Sequence, residues 1–263
     1  MTMQRVPSVL VKPSFKAPTH HPLVPNWLIP TGTVPYSESR RDVPVEWTWS
    51  EAAPSPVSSP TTATFAPLAY ESGYEYPLIV WLHSDGANED SLPLVMKHIS
   101  LRNFVAVAPR GVEALAEGYG WSQFSDCVDA AEDAVFEAID STRDRFSVHT
   151  SRVFLVGSGS GGAMAMRIAL RHPDRFAGVA TLDGALPTGD ALLCRVNEAR
   201  QLPLLLSASK CSIDYPESRM CRDLALLHSA GCRVAIRQYP GNEDLTTEML
   251  ADVNRWAMQI VCE

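Results

Sequence analysis

The sequence lacks the features that would indicate a membrane or a nucleic-acid partner. It contains no run of about 18 apolar residues, which is the length that a transmembrane helix requires. Acidic residues number 30 against 22 basic ones, and the formal net charge of -8 disfavours the concentrated basic surface that phosphate binding needs. The same charge disfavours binding to a membrane surface. We therefore expect neither nucleic acid nor a membrane as a partner.

Clustered metal ligands are also lacking. The six cysteines include no C-x-x-C pair, and in a chain of 263 residues they are typical of reduced cytosolic thiols. Cys221 and His228 share a predicted helix without further ligands, and the pair His20 and His21 lies in a proline-rich stretch. The first 20 residues contain no continuous apolar segment, so we expect no signal peptide. The predictions are no metal, no cofactor and a cytoplasmic location.

Proline is abundant, but mostly at one end. More than half of the 20 prolines lie before residue 68, and their density excludes long helices and central strands before about residue 61. Trp27, Trp47 and Trp49 indicate that part of this stretch packs on the main body, because exposed tryptophan is costly. We therefore predict a proline-rich N-terminal arm and linker over residues 1–61, followed by a single domain over residues 62–263.

From residue 62 onward, short apolar runs alternate with segments of helical periodicity. The middle runs are continuously apolar, as expected for parallel strands buried on both faces. The clearest helical stripe belongs to a terminal helix that begins near Thr246. Such alternation predicts an α/β fold, with a mainly parallel central sheet and helices on both faces. The candidate strands are residues 62–68, 77–83, 104–109, 152–157, 176–182, 202–208 and 233–239.

A glycine-rich turn follows one of these strands. Residues 153–165 have the sequence V-F-L-V-G-S-G-S-G-G-A-M-A, which predicts a buried strand, a tight turn and a helix. This is the layout of a nucleophile elbow, G-x-Ser-x-G, whose outer glycines let strand and helix approach closely. Its central residue lies on a strained turn. Here the outer glycines are Gly157 and Gly161, so the central residue is Gly159, which has no side chain.

Five motifs in the same order along the chain resemble the phospholipase/carboxylesterase group of α/β-hydrolases, which includes acyl-protein-thioesterase-like enzymes. The resemblance extends from about residue 62 to the C-terminus. It implies the α/β-hydrolase fold and an ancestral ester or thioester hydrolysis by a serine, an acid and a histidine, in that chain order. The motifs are P-L-I-V-W-L-H at 77–83, A-P-R at 108–110, the elbow, R-H-P-D-R-F-A-G at 171–178 and Y-P-G at 239–241.

The resemblance assigns each position of the triad, and this chain departs from the family at all of them. Gly159 stands at the nucleophile position. Ser212 stands at the acid position, four residues before a proline, and Glu243 stands where the histidine normally follows the last strand. No histidine occurs after His228. Because a serine without a nearby base is a poor nucleophile, we predict no catalytic residues and a pseudoenzyme.

The serines beside Gly159 leave an alternative open. Ser160 satisfies a small-x-Ser-x-Gly pattern if the turn shifts by one residue, with Glu243 or an out-of-register histidine as its base. Ser158 would require Val156 at a position that prefers glycine. Otherwise both serines are small turn residues.

The loop that should supply oxyanion donors is altered as well. In the family it is rich in glycine, so that backbone N–H groups can point at the developing charge. Here the oxyanion-loop positions are His83, Ser84, Asp85, Gly86 and Ser160. An inward Asp85 would oppose catalysis, whereas an outward one would form an Asx turn, and both alternatives stay open. For His83 we predict hydrogen bonds to the loop backbone.

These features favour a carboxylesterase/phospholipase-like protein that has lost its triad and acts by binding. The old cleft would take a small acyl- or ester-like ligand, and either the cleft or the N-terminal arm would serve a protein partner or a second copy of the chain. Trp121 either lines the old acyl pocket or belongs to the core. Two alternative hypotheses are a serine carboxylesterase or thioesterase that uses Ser160, and a structural subunit of an oligomer.

Overall fold

A seven-stranded sheet organises the part of the chain that the computed structural model describes, which is residues 61–189, 192–241 and 245–263. Residues 1–60 of the predicted arm lie outside these residues, and so does the predicted base position Glu243. The strands are Thr62–Phe65 (β1), Tyr76–Leu82 (β2), Val105–Pro109 (β3), Glu113–Ala114 (β4), Tyr119–Gly120 (β5), Val148–Ser158 (β6), Gly178–Leu182 (β7), Leu204–Ser209 (β8) and Val234–Tyr239 (β9).

The strand order across the sheet is β1-β3-β2-β6-β7-β8-β9, while β4 and β5 form a separate two-stranded ribbon. Strand β1 runs antiparallel to β3, and all other neighbours in the large sheet are parallel. The prediction of a mainly parallel sheet is therefore confirmed, and each of the seven predicted strands is present. The largest difference is in β6, which begins at Val148 rather than at residue 152.

Helices cover both faces of the sheet, as predicted. One face packs against the second, third and fifth helices, and the other packs against the first and the last. The last helix begins where the sequence indicated, because the side chain of Thr246 accepts a hydrogen bond from the backbone N–H of Met249 (3.2 Å). The helices are Leu92–Ile99 (α1), Ser125–Arg145 (α2), Ser160–Arg171 (α3), Val196–Ala199 (α4), Glu217–Ala230 (α5) and Thr247–Cys262 (α6).

Membrane-spanning helices, grouped metal ligands and disulfides are absent from the described residues. None of their helices has the length and apolar character needed to cross a membrane. Within the same residues, no three His, Cys, Asp or Glu side chains are grouped as potential metal ligands. All six cysteines lie in these stretches as free thiols.

Candidate functional site

The turn between β6 and α3 has the geometry of a nucleophile elbow. Strand β6 ends at Ser158, helix α3 begins at Ser160, and Gly159 between them has φ 55° and ψ -123°. The strained backbone expected at the centre of an elbow is thus observed at Gly159. A Cβ on Gly157 would lie 2.4 Å from the carbonyl oxygen of Gly161, and a Cβ on Gly161 would lie 2.2 Å from that of His83, so glycine is required on both sides of the turn.

The apex of the elbow has room for a side chain that the sequence does not supply. A Cβ built on Gly159 would meet only the Cβ of Ser84, at 3.5 Å, which is ordinary van der Waals contact. The space at the apex would therefore admit a side chain, although φ 55° strains any residue that carries one.

This geometry predicts that Gly159→Ser folds without gaining esterase activity. We expect the free energy of unfolding to fall by about 1 kcal/mol, because φ 55° strains any residue with a side chain. Hydrolysis of p-nitrophenyl acetate should stay at background, since triad members act as a unit. Thermal unfolding and the hydrolysis assay check both parts, with Gly73→Ser as the control because nothing lies within 4 Å of a Cβ at Gly73. Turnover by Gly159→Ser would show that a base is present.

His83 has a structural role and is not available as a base. Its Nδ1 lies 2.8 Å from the carbonyl oxygen of Ser84, and the backbone N–H of Gly111 donates to its Nε2 (3.0 Å). These partners place the proton on Nδ1 and occupy both ring nitrogens. The side chain is buried, and burial lowers the pKa of His83 despite the opposing effect of the Ser84 carbonyl. This is the hydrogen bonding to the loop backbone that the sequence predicted.

Trp121 belongs to the core. Its side chain is buried in the cluster formed with α2 and α3, and its indole N–H donates to the carbonyl oxygen of His83 (2.9 Å). Of the two alternatives open from the sequence, the structure therefore shows the core position. Trp121 acts on the site indirectly, because it fixes the end of β2 from which the oxyanion loop starts.

Asp85 is exposed to solvent, and its side chain is directed towards the elbow. The hydroxyl of Ser160 donates a short hydrogen bond to Oδ1 of Asp85, which joins the oxyanion loop to the first residue of α3. An outward Asx turn, the other alternative, is therefore not what the structure shows. The positive end of the helix dipole stabilises a carboxylate at this place. A negative charge thus lies beside the elbow, where an esterase would stabilise the oxyanion of its reaction.

Ser212, the position assigned to the acid, lies in a turn after β8. Its backbone N–H donates to the carbonyl of Ser209 (3.1 Å), and its hydroxyl accepts from the backbone N–H of Tyr215 (2.9 Å). The side chain is buried and shapes the turn that leads to α5. Because Glu243 lies outside the described residues, convergence of Gly159, Ser212 and Glu243 stays a prediction.

A cavity of about 410 Å³ opens at the elbow. Five predicted site positions line it, including Gly159, Ser160 and Asp85, whereas Gly86 and Ser212 are not among its lining residues. We call it the elbow cavity, and its lining residues are Trp81, His83, Ser84, Asp85, Ala87, Ser91, Val95, Ser158, Gly159, Ser160, Asp183, Asp214 and Leu245.

Asp183 is the most unusual lining residue that sequence reasoning missed. It directly follows β7 with φ 54°, a conformation that non-glycine residues rarely adopt, and it is only 8% exposed. Its carboxylate accepts hydrogen bonds from the backbone N–H (2.6 Å) and the hydroxyl (2.8 Å) of Ser209. The available signal was its place at the carboxyl end of a predicted parallel strand, where α/β proteins form their sites.

Known proteins share part of this sequence and its fold. No family model matches the sequence. A curated relative, "Putative esterase NocK" from Nocardia uniformis subsp. tsuyamanensis, is 31% identical over 119 residues, which is 44% of this chain and 35% of the relative. The match therefore spans about a third of that relative's length.

Three solved structures have the same fold. A carboxylesterase from Bacillus cereus matches with a TM-score of 0.64 at 13% identity, over 78% of this chain and 96% of that one. SOBER1 from Arabidopsis thaliana matches with a TM-score of 0.61 at 20% identity, over 71% of this chain and 99% of that one. A phospholipase/carboxylesterase from Dyadobacter fermentans matches with a TM-score of 0.59 at 17% identity, over 76% of this chain and 97% of that one. At these identities the likeness shows the fold, which is that of the α/β-hydrolases.

Proposed function

We propose that this α/β-hydrolase-fold chain is a carboxylesterase-like binding protein without hydrolase activity, and that the elbow cavity holds its ligand. The observation that carries the proposal is Gly159 at the apex of the elbow, with φ 55°. The apex is the position from which a serine hydrolase projects its nucleophile, and a glycine there has no atom that can attack an ester carbonyl.

The lack of an available base supports the same conclusion. Among the described residues that line the elbow cavity, His83 is the one histidine, and both of its ring nitrogens are engaged with the backbone. A general base must reach the proton that it abstracts, either directly or through one water. A hydroxyl in this cavity would therefore have no imidazole to activate it.

The charge beside the elbow is a third argument. An esterase directs hydrogen-bond donors at the oxyanion, and removing a single donor costs roughly 10²–10³ in rate. Here the carboxylate of Asp85 is hydrogen-bonded to Ser160 at that place. Its negative charge repels a developing oxyanion and so opposes ester hydrolysis.

The direct test is an active-site titration of the purified full-length chain. We expect no covalent labelling by a fluorophosphonate probe and only background hydrolysis of p-nitrophenyl acetate and butyrate, because no activated serine is present. An active serine esterase serves as the positive control. Stoichiometric labelling that disappears in Ser160→Ala would overturn the proposal.

One contact supports a second candidate, a serine esterase that uses Ser160. The hydroxyl of Ser160 donates to Asp85, a carboxylate that would accept its proton during attack. This candidate is weaker, because the ordinary pKa of a carboxyl group is well below that of imidazole and the same carboxylate opposes the oxyanion. It requires that Ser160→Ala and Asp85→Asn both abolish labelling, a result that the first proposal excludes.

Location and partners form part of the same proposal. Cys194, Cys211, Cys221 and Cys262 are exposed thiols, which favours the reducing cytoplasm. A protein partner, or a second copy of the chain, stays a proposal that light scattering on the purified protein would test.

A further inference from the structure

We infer that the elbow cavity recognises a positively charged alkylammonium group, an inference that rests on the proposed binding function. Three carboxylates line the cavity, those of Asp85, Asp183 and Asp214, and the described residues of its lining include no lysine or arginine. A carboxylate or phosphate ligand would be repelled there, whereas an ammonium group would be attracted. The site would thus prefer the charge opposite to that of the oxyanion which the elbow of an active esterase stabilises.

Asp85 provides the acceptor for the ammonium group. Its Oδ1 accepts the hydrogen bond from Ser160, while no residue in the described part of the chain donates to Oδ2. A carboxylate oxygen can accept further hydrogen bonds, and an ammonium group has three donors. Charge-assisted hydrogen bonds of this type are stronger than neutral ones. The free oxygen of Asp85 is therefore placed to bind the head group of a ligand.

Ser158 is an independent sign of a polar ligand. Phe154 and Val156 of β6 face the layer of α1 and α6, and Ser158 is two residues further along the same face. Trp81 lies in that layer, and both Ser158 and Trp81 line the elbow cavity. Ser158 is only 9% exposed, yet its hydroxyl has no hydrogen-bond partner within the described residues. The Ser158 hydroxyl is open to the cavity rather than sealed in the core, so a ligand there would find both a hydrogen-bond donor and an acceptor within reach.

The remaining wall of the cavity suits an alkyl chain. Trp81, Val95 and Leu245 supply apolar surface, with Trp81 and Val95 fully or nearly buried and Leu245 37% exposed. The indole N–H of Trp81 donates to the hydroxyl of Ser91 (3.3 Å), so its polar atom is occupied. A volume of about 410 Å³ is within the range of small-molecule sites. The ligand class is therefore an ammonium group with a short aliphatic chain.

Three probes of similar shape and different charge test this inference. Hexylammonium chloride, 1-hexanol and sodium hexanoate are titrated into the full-length chain by calorimetry. We expect saturable one-to-one binding of hexylammonium, at least about tenfold tighter than hexanol, and no binding of hexanoate. The affinity for hexylammonium should fall severalfold between about 20 mM and about 300 mM NaCl, since salt screens the attraction.

Two variants assign the effect to the cavity. Asp85→Asn should weaken hexylammonium binding about tenfold and leave the affinity for hexanol unchanged, because the substitution removes only the charge. Ser158→Ala should weaken it about threefold through the loss of one acceptor. The control is Asp129→Asn, which removes an exposed carboxylate that lines a separate cavity beside α2 and α3. Thermal unfolding confirms that each variant is folded.

The outcomes separate this inference from the function on which it rests. Equal affinity for hexanol and hexylammonium, failure of all three probes to bind, or an unchanged affinity in Asp85→Asn would overturn the recognition of an ammonium group. If Asp85→Asn does not fold, the relative affinities of the three probes and the affinity of Ser158→Ala for hexylammonium still test the inference. Fluorophosphonate labelling of Ser160 would instead overturn the proposed function itself.

Discussion

Gly161→Ala is expected to lower the free energy of unfolding by about 3 kcal/mol, because the new methyl group would overlap the backbone at the end of β2. A Cβ on Gly161 would lie 2.2 Å from the carbonyl oxygen of His83 and 2.4 Å from that of Leu82. Leu82 pairs with Gly157 in the middle of the sheet, so this backbone cannot move without disturbing its neighbours. Urea unfolding followed by circular dichroism measures the change.

Gly73→Ala is the matched control for this substitution. Nothing lies within 4 Å of a Cβ at Gly73, so we expect its effect on the free energy of unfolding to stay within about 0.5 kcal/mol. If Gly161→Ala were as stable as Gly73→Ala, α3 would not approach β2 closely. The elbow would then not have the geometry from which the proposed function is argued.

The sheet could be predicted from the sequence because its central strands are buried on both faces. In β2, β3, β7 and β8 every residue is buried, and this forces continuous apolar runs that stand out from the helical segments between them. The elbow was equally visible. Close contact of strand and helix requires glycine at Gly157 and Gly161, and such requirements leave a fixed spacing in the sequence.

The two-stranded ribbon of β4 and β5 was not predicted. Its strands are two residues each, Glu113–Ala114 and Tyr119–Gly120, which is too short for any periodicity to appear. The ribbon nevertheless supports the oxyanion loop, since the backbone of Tyr119 exchanges hydrogen bonds with Gly86 and Ala87. Short elements of this kind depend on tertiary contacts that no local pattern records.

The orientation of Asp85 could not be predicted for the same reason. Its hydrogen bond comes from Ser160, 75 residues further along the chain, and local sequence favoured an Asx turn equally. Asp183 was missed because nothing local requires φ 54°, which is stabilised by two hydrogen bonds from Ser209 on the neighbouring strand. The sequence therefore predicted the loss of the nucleophile, whereas the acidic character of the cavity is apparent only in the folded structure.

The loop that carries Asp85 is anchored by an ion pair next to it. Glu89 is 2% exposed, and Nε of Arg110 lies 3.0 and 2.9 Å from its two carboxylate oxygens. The guanidinium also stacks on the ring of Tyr119, 4.7 Å from its centroid. Burial acts to raise the pKa of Glu89, but the hydrogen bonds and charge of Arg110 outweigh it and hold this pKa below its ordinary value. The pair thus links the loop after β2 to the ribbon.

Arg110→Ala is expected to destabilise the protein by about 2 kcal/mol at neutral pH, because it leaves the Glu89 carboxylate buried without its partner. The figure is below that for a fully buried pair, since the Arg110 side chain is 34% exposed. A depressed pKa contributes stability above the ordinary value of about 4.3, and that stability is lost as the pH falls through the folded pKa. In Arg110→Ala the unpaired carboxyl becomes easier to protonate, so its deficit relative to the wild type should shrink towards acidic pH.

Two further variants decide whether the buried carboxylate is the cause. Glu89→Gln added to Arg110→Ala should recover part of the lost stability, because it replaces an uncompensated charge by a neutral amide. Asp140→Asn removes the exposed partner of the Arg143 pair, where Asp140 is 70% exposed, and should cost no more than about 0.5 kcal/mol. Urea unfolding between neutral and acidic pH measures all four proteins. A deficit in Arg110→Ala that is constant with pH and not reduced by Glu89→Gln would assign the loss to the contact of Arg110 with Tyr119 instead of to its charge.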